Sequence, residues 1–217
     1  MLSSSLRLGS IILLAALVFS ATSAPSVNLG IFQDSSDIGE VLHPGAAAFD
    51  PAVKTYTITG SGENMWLTKD AFRFVWKQSS AKDATITANI DFVGDSTQPH
   101  RKAVLMFRQN LNADSAYADV TLHGNGLTSL QYRTQLGANT DEAQSKTSSP
   151  KRLRIVKEGD AYTMWLAWDD GKWQPMGGPV TVPIHGAYYI GLGVCSHDNA
   201  KSETAIFSNV SLTEVPR

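Results

Sequence analysis

Hydrophobic and polar residues alternate with a period of two along the chain that follows the first two dozen residues. The clearest case is the stretch 85–92, where Ile86, Ala88, Ile90 and Phe92 alternate with threonine, asparagine and aspartate. Because successive side chains of a strand point to opposite faces, this pattern predicts a strand with one buried face. Further strands are predicted at about 102–109, 116–122, 128–135, 151–157, 161–168, 187–195 and 203–210.

Turn-forming sequences separate the predicted strands. Examples are Gly124-Asn125-Gly126, Glu158-Gly159-Asp160 and Asp169-Asp170-Gly171, whose residue types permit tight reversals. No segment after residue 24 keeps a helical period over three turns. Many short strands without helices predict an antiparallel β-sandwich or jelly roll.

The stretch 137–150 is polar and contains few residues that could join a hydrophobic core. It could link two small domains, but each half of the chain would then have too few strands to close a core. A long loop within one sandwich is the better interpretation. Residues 25–217 are therefore predicted to form a single domain.

The first 24 residues have a different pattern. They contain one charge, Arg7, then an apolar run at 11–19 and a series of small residues at 20–24. This order is typical of a secretory signal peptide, and the run is shorter than the ~18 apolar residues of a membrane-spanning helix. The sequence predicts an exported protein, secreted or periplasmic, without a membrane span, cleaved near Ser23 or Ala24.

Composition narrows the function classes. The chain has 217 residues, of which 42% are hydrophobic, and 18 Lys and Arg against 20 Asp and Glu give a net charge of -2. These values exclude an intrinsically disordered chain and a generally basic nucleic-acid-binding protein. The single cysteine, Cys195, excludes an intramolecular disulfide and a cysteine-rich zinc module.

Familiar catalytic motifs are absent from the sequence. There is no G-x-S-x-G, H-E-x-x-H or phosphate-binding glycine loop, and no two of the five histidines have metal-ligand spacing. Glu158-Gly159-Asp160 matches only half of the glucanase motif E-x-D-x-x-E, because Thr163 stands at the third acid. No catalytic residue, cofactor or metal ligand is therefore assigned.

Three aspartates near the start of the predicted domain could help to hold a Ca²⁺ ion. They are Asp34, Asp37 and Asp50. Hard cations take oxygen ligands of this kind from loops. Ordinary turn and capping roles explain these aspartates at least as well.

Several short motifs follow one another along about 30–213: Phe32, Asp34, Asp37-Ile38-Gly39, Gly45, the runs 56–66 and 70–74, Met106-Phe107-Arg108, Gln131-Tyr132-Arg133 and the run 194–199. In these motifs the chain resembles a bacterial family of unknown function in the concanavalin A-like lectin/glucanase superfamily, related to the yeast regulator-of-enolase protein. The resemblance implies a two-sheet antiparallel jelly-roll sandwich and a carbohydrate- or surface-binding role. Family members often carry Ser-Pro-His where this chain has Ser115-Ala116-Tyr117, so any ligand contact of that histidine is missing here.

Six residues are candidate ligand contacts: Arg108, Gln131, Arg133, His197, Trp66 and Trp165. Gln131 and Arg133 must share one face of their strand, and His197 continues the face of Gly191 and Gly193. Arginine forks suit hydroxyl pairs or carboxylates, and an outward tryptophan suits a sugar ring. The six are predicted to line one polar site on the concave sheet. Because two neighbouring arginines repel each other, this site should also hold a carboxylate or bind an anionic or hydroxyl-rich ligand. The alternative is a structural network with packed aromatics.

Three hypotheses about function follow. The first is an exported, non-catalytic module that binds carbohydrate on the concave sheet. The second is a glycoside hydrolase or lyase with an unrecognised acid/base set, which would need two carboxylates roughly 5–10 Å apart across a groove. The third is a structural or adhesive domain that binds protein.

Overall fold

The computed structural model describes residues 27–216, which form strands and turns without a helix. The described strands, in chain order, are β1 (Asp34–Ile38), β2 (Ala46–Asp50), β3 (Thr55–Gly60), β4 (Met65–Trp66), β5 (Lys69–Asp70), β6 (Phe72–Ser79), β7 (Asp83–Val93), β8 (Lys102–Arg108), β9 (Tyr117–His123), β10 (Thr128–Arg133), β11 (Asp141–Gln144), β12 (Arg152–Glu158), β13 (Ala161–Ala167), β14 (Gln174–Thr181), β15 (Tyr188–Cys195) and β16 (Glu203–Val215).

The strands form two seven-stranded antiparallel sheets. Sheet one has the order β1-β6-β15-β8-β9-β10-β11, and sheet two has the order β14-β13-β12-β7-β16-β3-β2. The short hairpin β4–β5 packs through Met65 on the outer face of sheet one. The predicted all-β, two-sheet jelly-roll sandwich is confirmed.

The alternation seen in the sequence sorts side chains between the core and the two outer faces. In β15, Tyr188, Ile190 and Leu192 are buried in the core that both sheets share. Ile155 of β12 and Met164 of β13 enter the same core from sheet two. Burial of this apolar surface is the main driving force for folding. Because the core is filled with apolar side chains, polar binding sites must lie on the outer faces.

The glycines of β15 make room for aromatic rings of the protein itself. Gly191 and Gly193 lie on the outer face of sheet one, where Phe74 and Phe72 of the neighbouring strand cross over them. A Cβ atom added at Gly193 would lie 2.8 Å from the ring of Phe72. The glycine-lined face of β15, which His197 continues, is therefore covered by packed phenylalanines.

The polar stretch 137–150 is partly a strand. Residues Asp141–Gln144 pair with β10 as the edge strand of sheet one, where the sequence suggested only loop. One core contains residues from both sides of this stretch, such as Leu130 and Leu153. The predicted signal peptide lies outside the described residues. Within the described part of the chain, no helix is long and apolar enough to cross a membrane.

Candidate functional site

The outer face of sheet one carries rows of polar side chains that are set by the strand register. Arg108 of β8, Tyr117 of β9 and Arg133 of β10 form one row. At the opposite end of the same strands, Lys102 of β8 lies beside His123 of β9. The β4–β5 hairpin contacts both ends through its backbone carbonyls and Asp70, so the two ends are described separately.

The first end is the arginine cluster, defined as Arg108, Arg133 and Asp70. All three side chains are completely buried. Arg133 Nη2 lies 2.8 Å from Asp70 Oδ1, its Nη1 donates to Oδ2 at 3.1 Å, and Arg108 Nη2 reaches Oδ2 at 3.4 Å. Asp70 is thus a carboxylate between the two arginines, which is the first of the two alternatives that the sequence analysis left open.

The remaining donors of the arginine cluster bind backbone carbonyls. Arg133 donates to the carbonyls of Leu67, Ala138 and Ser115, each at 3.0 Å. Arg108 donates at 2.6 Å to a carbonyl of the β8–β9 loop, that of Asn112. Because neither guanidinium is accessible, the arrangement corresponds to the structural alternative of the sequence analysis. The prediction that both arginines contact a ligand does not fit this geometry.

The second end is the Lys102 pocket, an open cavity of about 380 Å³. It is lined by Asn64, Trp66, His100, Lys102, His123, Leu127, Gln131, Glu142, Gln144 and His197. Three of the six predicted ligand residues, Trp66, Gln131 and His197, come together here. Ligand binding by them stays a prediction.

Lys102 is the cation of this pocket and is only 3% exposed. Its Nζ donates to the carbonyl of Met65 at 3.0 Å and to Gln131 Oε1 at 3.2 Å, and it lies 5.5 Å from the ring centroid of Trp66. An ammonium group has three donors, and the third has no acceptor among the described residues. Burial lowers the Lys102 pKa, since desolvation disfavours the charged form.

Three of the five histidines surround this cation although they are distant in sequence. The ring of His100 lies 6.2 Å from that of His123 and 5.3 Å from that of His197. His123 Nδ1 donates to the Leu127 carbonyl at 3.1 Å, which leaves Nε2 as an acceptor. Burial, together with repulsion by Lys102, lowers the His123 pKa to about 4. The pocket therefore combines the Lys102 Nζ donor with a His123 imidazole acceptor that is neutral at pH 7.

Asp119 lies beneath the pocket in the row that contains Gln131 and Glu142. It is fully buried, its Oδ1 accepts from Thr121 Oγ1, and its Oδ2 has no partner among the described residues. Desolvation raises its pKa to about 7. Glu142 is therefore the one acidic side chain that lines the pocket itself. A single lining carboxylate favours binding over glycoside hydrolysis in this pocket.

A larger cavity of about 640 Å³ lies on the other side of Trp66. Its lining includes Glu40, Glu63 and Asp114 with Lys69. Trp66 forms a wall of both cavities. The glycosidase alternative, if it applies, would use these acids rather than the Lys102 pocket.

Trp165 does not join the other candidates. It lies on β13 of sheet two, and its neighbours Met164 and Leu166 point into the core. Its half-buried indole is therefore on the outer face of the opposite sheet. The prediction that all six residues line one site is wrong for Trp165.

The aspartates considered as calcium ligands have other partners. Asp37 accepts from the backbone of Gly45 and lies 3.5 Å from Arg73, while Asp34 and Asp50 accept from nearby backbone amides. Across residues 27–216, no group of three or more His, Cys, Asp or Glu side chains is arranged to hold a metal ion.

Sequence reasoning missed Lys102, His100, His123 and Asn64. Strand parity could have found Lys102, because it shares a face of β8 with Val104, Met106 and Arg108. His100 and Asn64 lie in loops, where no period applies.

No protein-family model matches the chain, and no curated protein matches it. Solved structures do. The fold that these structures share with the chain is the two-sheet jelly-roll sandwich. A protein of unknown function from Saccharomyces cerevisiae matches with TM-score 0.60 and 16% identity over 83% of this chain and 96% of its own. The carbohydrate-binding module CBM66 from Bacillus subtilis matches with TM-score 0.54 and 18% identity over 85% and 98%.

An enzyme shares the fold as one part of a longer chain. The xylan β-1,4-xylosidase from Bacillus halodurans C-125 matches with TM-score 0.55 and 15% identity, over 74% of this chain and 33% of its own. At these identities the likeness concerns the fold alone, and function must be argued from the site.

Proposed function

We propose that this chain is an exported, non-catalytic carbohydrate-binding protein that holds its ligand in the Lys102 pocket. The observation that carries the proposal is the buried ammonium of Lys102 beside Trp66, with one N–H left without an acceptor in the described chain. A donor that faces an open cavity can bind a ligand hydroxyl without breaking a hydrogen bond of the protein.

The other walls suit a hydroxyl-rich ligand. Sugar hydroxyls both donate and accept, and the pocket offers the Lys102 donor, the His123 Nε2 acceptor and the Glu142 carboxylate. Trp66 adds a half-exposed indole on which the apolar face of a sugar ring could stack. A concave site with an aromatic wall and a few converging polar groups is the usual form of a small-molecule site. The fold shared with a carbohydrate-binding module supports the same class of ligand.

A glycan-array screen of residues 25–217, followed by calorimetric titration of each glycan retained, tests the proposal. We expect Lys102→Met and Trp66→Ala each to weaken binding at least tenfold, which corresponds to about 1.4 kcal/mol. The matched control is Lys172→Met, which removes an exposed lysine from a turn between strands of sheet two and should leave binding unchanged. Absence of any retained glycan, or equal binding by Lys102→Met, would contradict the proposal.

A second candidate function, glycoside hydrolysis, rests on the carboxylates of the larger cavity beside Trp66. Incubation of the protein with each retained glycan should release no shorter product if the protein only binds. Product release that Glu63→Gln abolishes would instead identify an enzyme whose acids lie in that cavity.

A further inference from the structure

The outer face of sheet two carries a group of aromatic and cationic side chains far from the Lys102 pocket. Arg154 of β12 is directly opposite Trp165 of β13, and on its other side it is opposite Thr87 of β7. Arg152 lies two residues before Arg154 and therefore on the same face. These two arginines, Trp165 and the nearby Trp173 are called the Trp165 strip.

The side chains of the strip are held in place by one another. The Arg154 guanidinium lies 4.0 Å from the ring centroid of Trp173, and that of Arg152 lies 4.8 Å from the same ring. Arg154 Nε also donates to Thr87 Oγ1 at 3.1 Å. Stacking on an indole fixes the planar guanidinium while its outer N–H groups remain available. A surface ordered in advance loses less conformational entropy when it binds.

The charges of the strip lack counterions within the described chain. Each of the other described arginines has a carboxylate partner: Arg73 pairs with Asp37, Arg101 with Glu203, and Arg108 and Arg133 with Asp70. Within residues 27–216 no carboxylate lies within 4 Å of Arg152 or Arg154.

The positive charges of Arg152 and Arg154 also repel each other. Burial and the charge of Arg152 both lower the pKa of Arg154. Two neighbouring like charges are unfavourable unless an anion is placed between or against them. This face therefore fits an anionic ligand.

We propose that the Trp165 strip binds an acidic polysaccharide, a sugar polymer that carries carboxylate groups. Arg152 and Arg154 are two residues apart on one strand, so their Cα atoms are about 6.6–6.8 Å apart and both side chains lie on one face. Each guanidinium can therefore take a carboxylate of one extended chain. Trp165 lies beside them as a flat surface for a sugar ring.

The surrounding charge favours a polysaccharide over a nucleic acid. The chain as a whole has a net charge of -2, and Asp169 and Asp170 lie in the turn that precedes Trp173. A polyphosphate needs a broad cationic surface, because its affinity comes mainly from neutralised phosphates. Two arginines are too few for such a surface, but each can pair with one carboxylate of a polymer whose charges are spaced along its sugar units.

Native electrophoresis through gels that contain polygalacturonate tests this site, with dextran gels as the neutral reference. We expect the polymer to retard the wild-type protein, and the double variant Arg152→Gln/Arg154→Gln to weaken the affinity at least tenfold. Trp165→Ala should weaken it several-fold. The matched control is Lys151→Gln/Lys172→Gln, which removes the same net charge from nearby positions outside the stack and should change affinity less than threefold.

Three results would overturn the proposal: no retardation of the wild type by polygalacturonate, equal loss in the two double variants, or tighter binding to single-stranded DNA than to polygalacturonate. Melting temperatures of all variants show whether a loss of binding reflects unfolding. Arg154→Lys keeps the charge but not the planar stack, so it should bind with intermediate affinity.

The variant Lys102→Met separates this proposal from the proposed binding in the Lys102 pocket. If it abolishes retardation while Arg152→Gln/Arg154→Gln does not, the polymer binds in the Lys102 pocket and the strip is not a site.

Discussion

The arginine cluster and the Lys102 pocket lie on the same face of β8 to β10, yet the fold satisfies their cations to different extents. Every nitrogen of the Arg108 and Arg133 side chains has an acceptor within the protein, including Asp70. Lys102 has two acceptors for three donors among the described residues, and it faces a cavity. An arginine whose donors are all used cannot bind a ligand without losing native contacts. The first end therefore has a structural role, and the free donor at the second end supports the proposal that a ligand binds there.

The largest effect should come from Asp70→Asn. This substitution leaves two completely buried guanidiniums with no carboxylate between them. Breaking a buried ion pair by removing one partner costs about 3–5 kcal/mol, because the remaining charge is uncompensated. Urea denaturation at pH 7 measures the loss of unfolding free energy. Asp114→Asn, in a loop near the hairpin, is the control and should change it by less than about 0.5 kcal/mol. A small loss for Asp70→Asn would mean that the cluster is not structural.

Asp119 should make stability decrease as the pH rises. Its pKa is about 7 in the folded protein against 3.8 as the ordinary value, so the folded state binds the proton more tightly. The stabilisation is complete below the ordinary pKa and is lost as pH rises towards 7, by up to about 4 kcal/mol. Asp119→Asn should remove this slope and be more stable than the wild type at pH 8. Parallel stability-against-pH curves for the two proteins would contradict the expected titration.

The alternation of residues predicted the strands and showed which side chains share a face of a strand, because a period of two depends only on the local backbone. The two-sheet fold was predicted from the many short strands and from the family resemblance. The sequence placed Gln131 on the same face as Arg133, and it required either a carboxylate or a bound anionic or hydroxyl-rich ligand near the arginines. It could not identify Asp70, because that residue lies in a two-residue strand, β5, whose position depends on long-range contacts such as the bond of its amide to the Ala113 carbonyl.

The error over Trp165 has a different physical origin. A period of two separates inward from outward side chains, but a sandwich has two outward faces. Only the strand order distinguishes them, and it places β13 in sheet two. The clustering of His100, His123 and His197 was hidden for the same reason, since the pairing of β15 with β8 and of β8 with β9 brings these segments together.

His123 should make the protein less stable as the pH falls, which is the opposite of the effect expected for Asp119. Its pKa is about 4 in the folded protein against 6.5 ordinarily, so the unfolded chain binds the proton more tightly between these values. Stability should fall as the pH decreases from 6.5 towards 4, by up to about 3 kcal/mol. In His123→Gln the pH dependence over this range should be weaker than in the wild type. Urea denaturation at pH 4.5 and pH 7 measures the difference, with the exposed His185→Gln as control.

The smallest change in stability should come from Lys102→Met, which tests whether Lys102 differs from the buried arginines in its role. The variant loses two hydrogen bonds, to the Met65 carbonyl and Gln131, each with a net contribution of about 1 kcal/mol. It also removes the desolvation penalty of a nearly buried ammonium, and methionine fills a similar volume. These opposing effects should leave the unfolding free energy within about 1 kcal/mol of the wild type. Loss of the neighbouring charge should also raise the His123 pKa, which NMR titration of that imidazole can measure. If Lys102→Met instead unfolds the domain as Asp70→Asn should, Lys102 is a structural residue, and the distinction between the two ends fails.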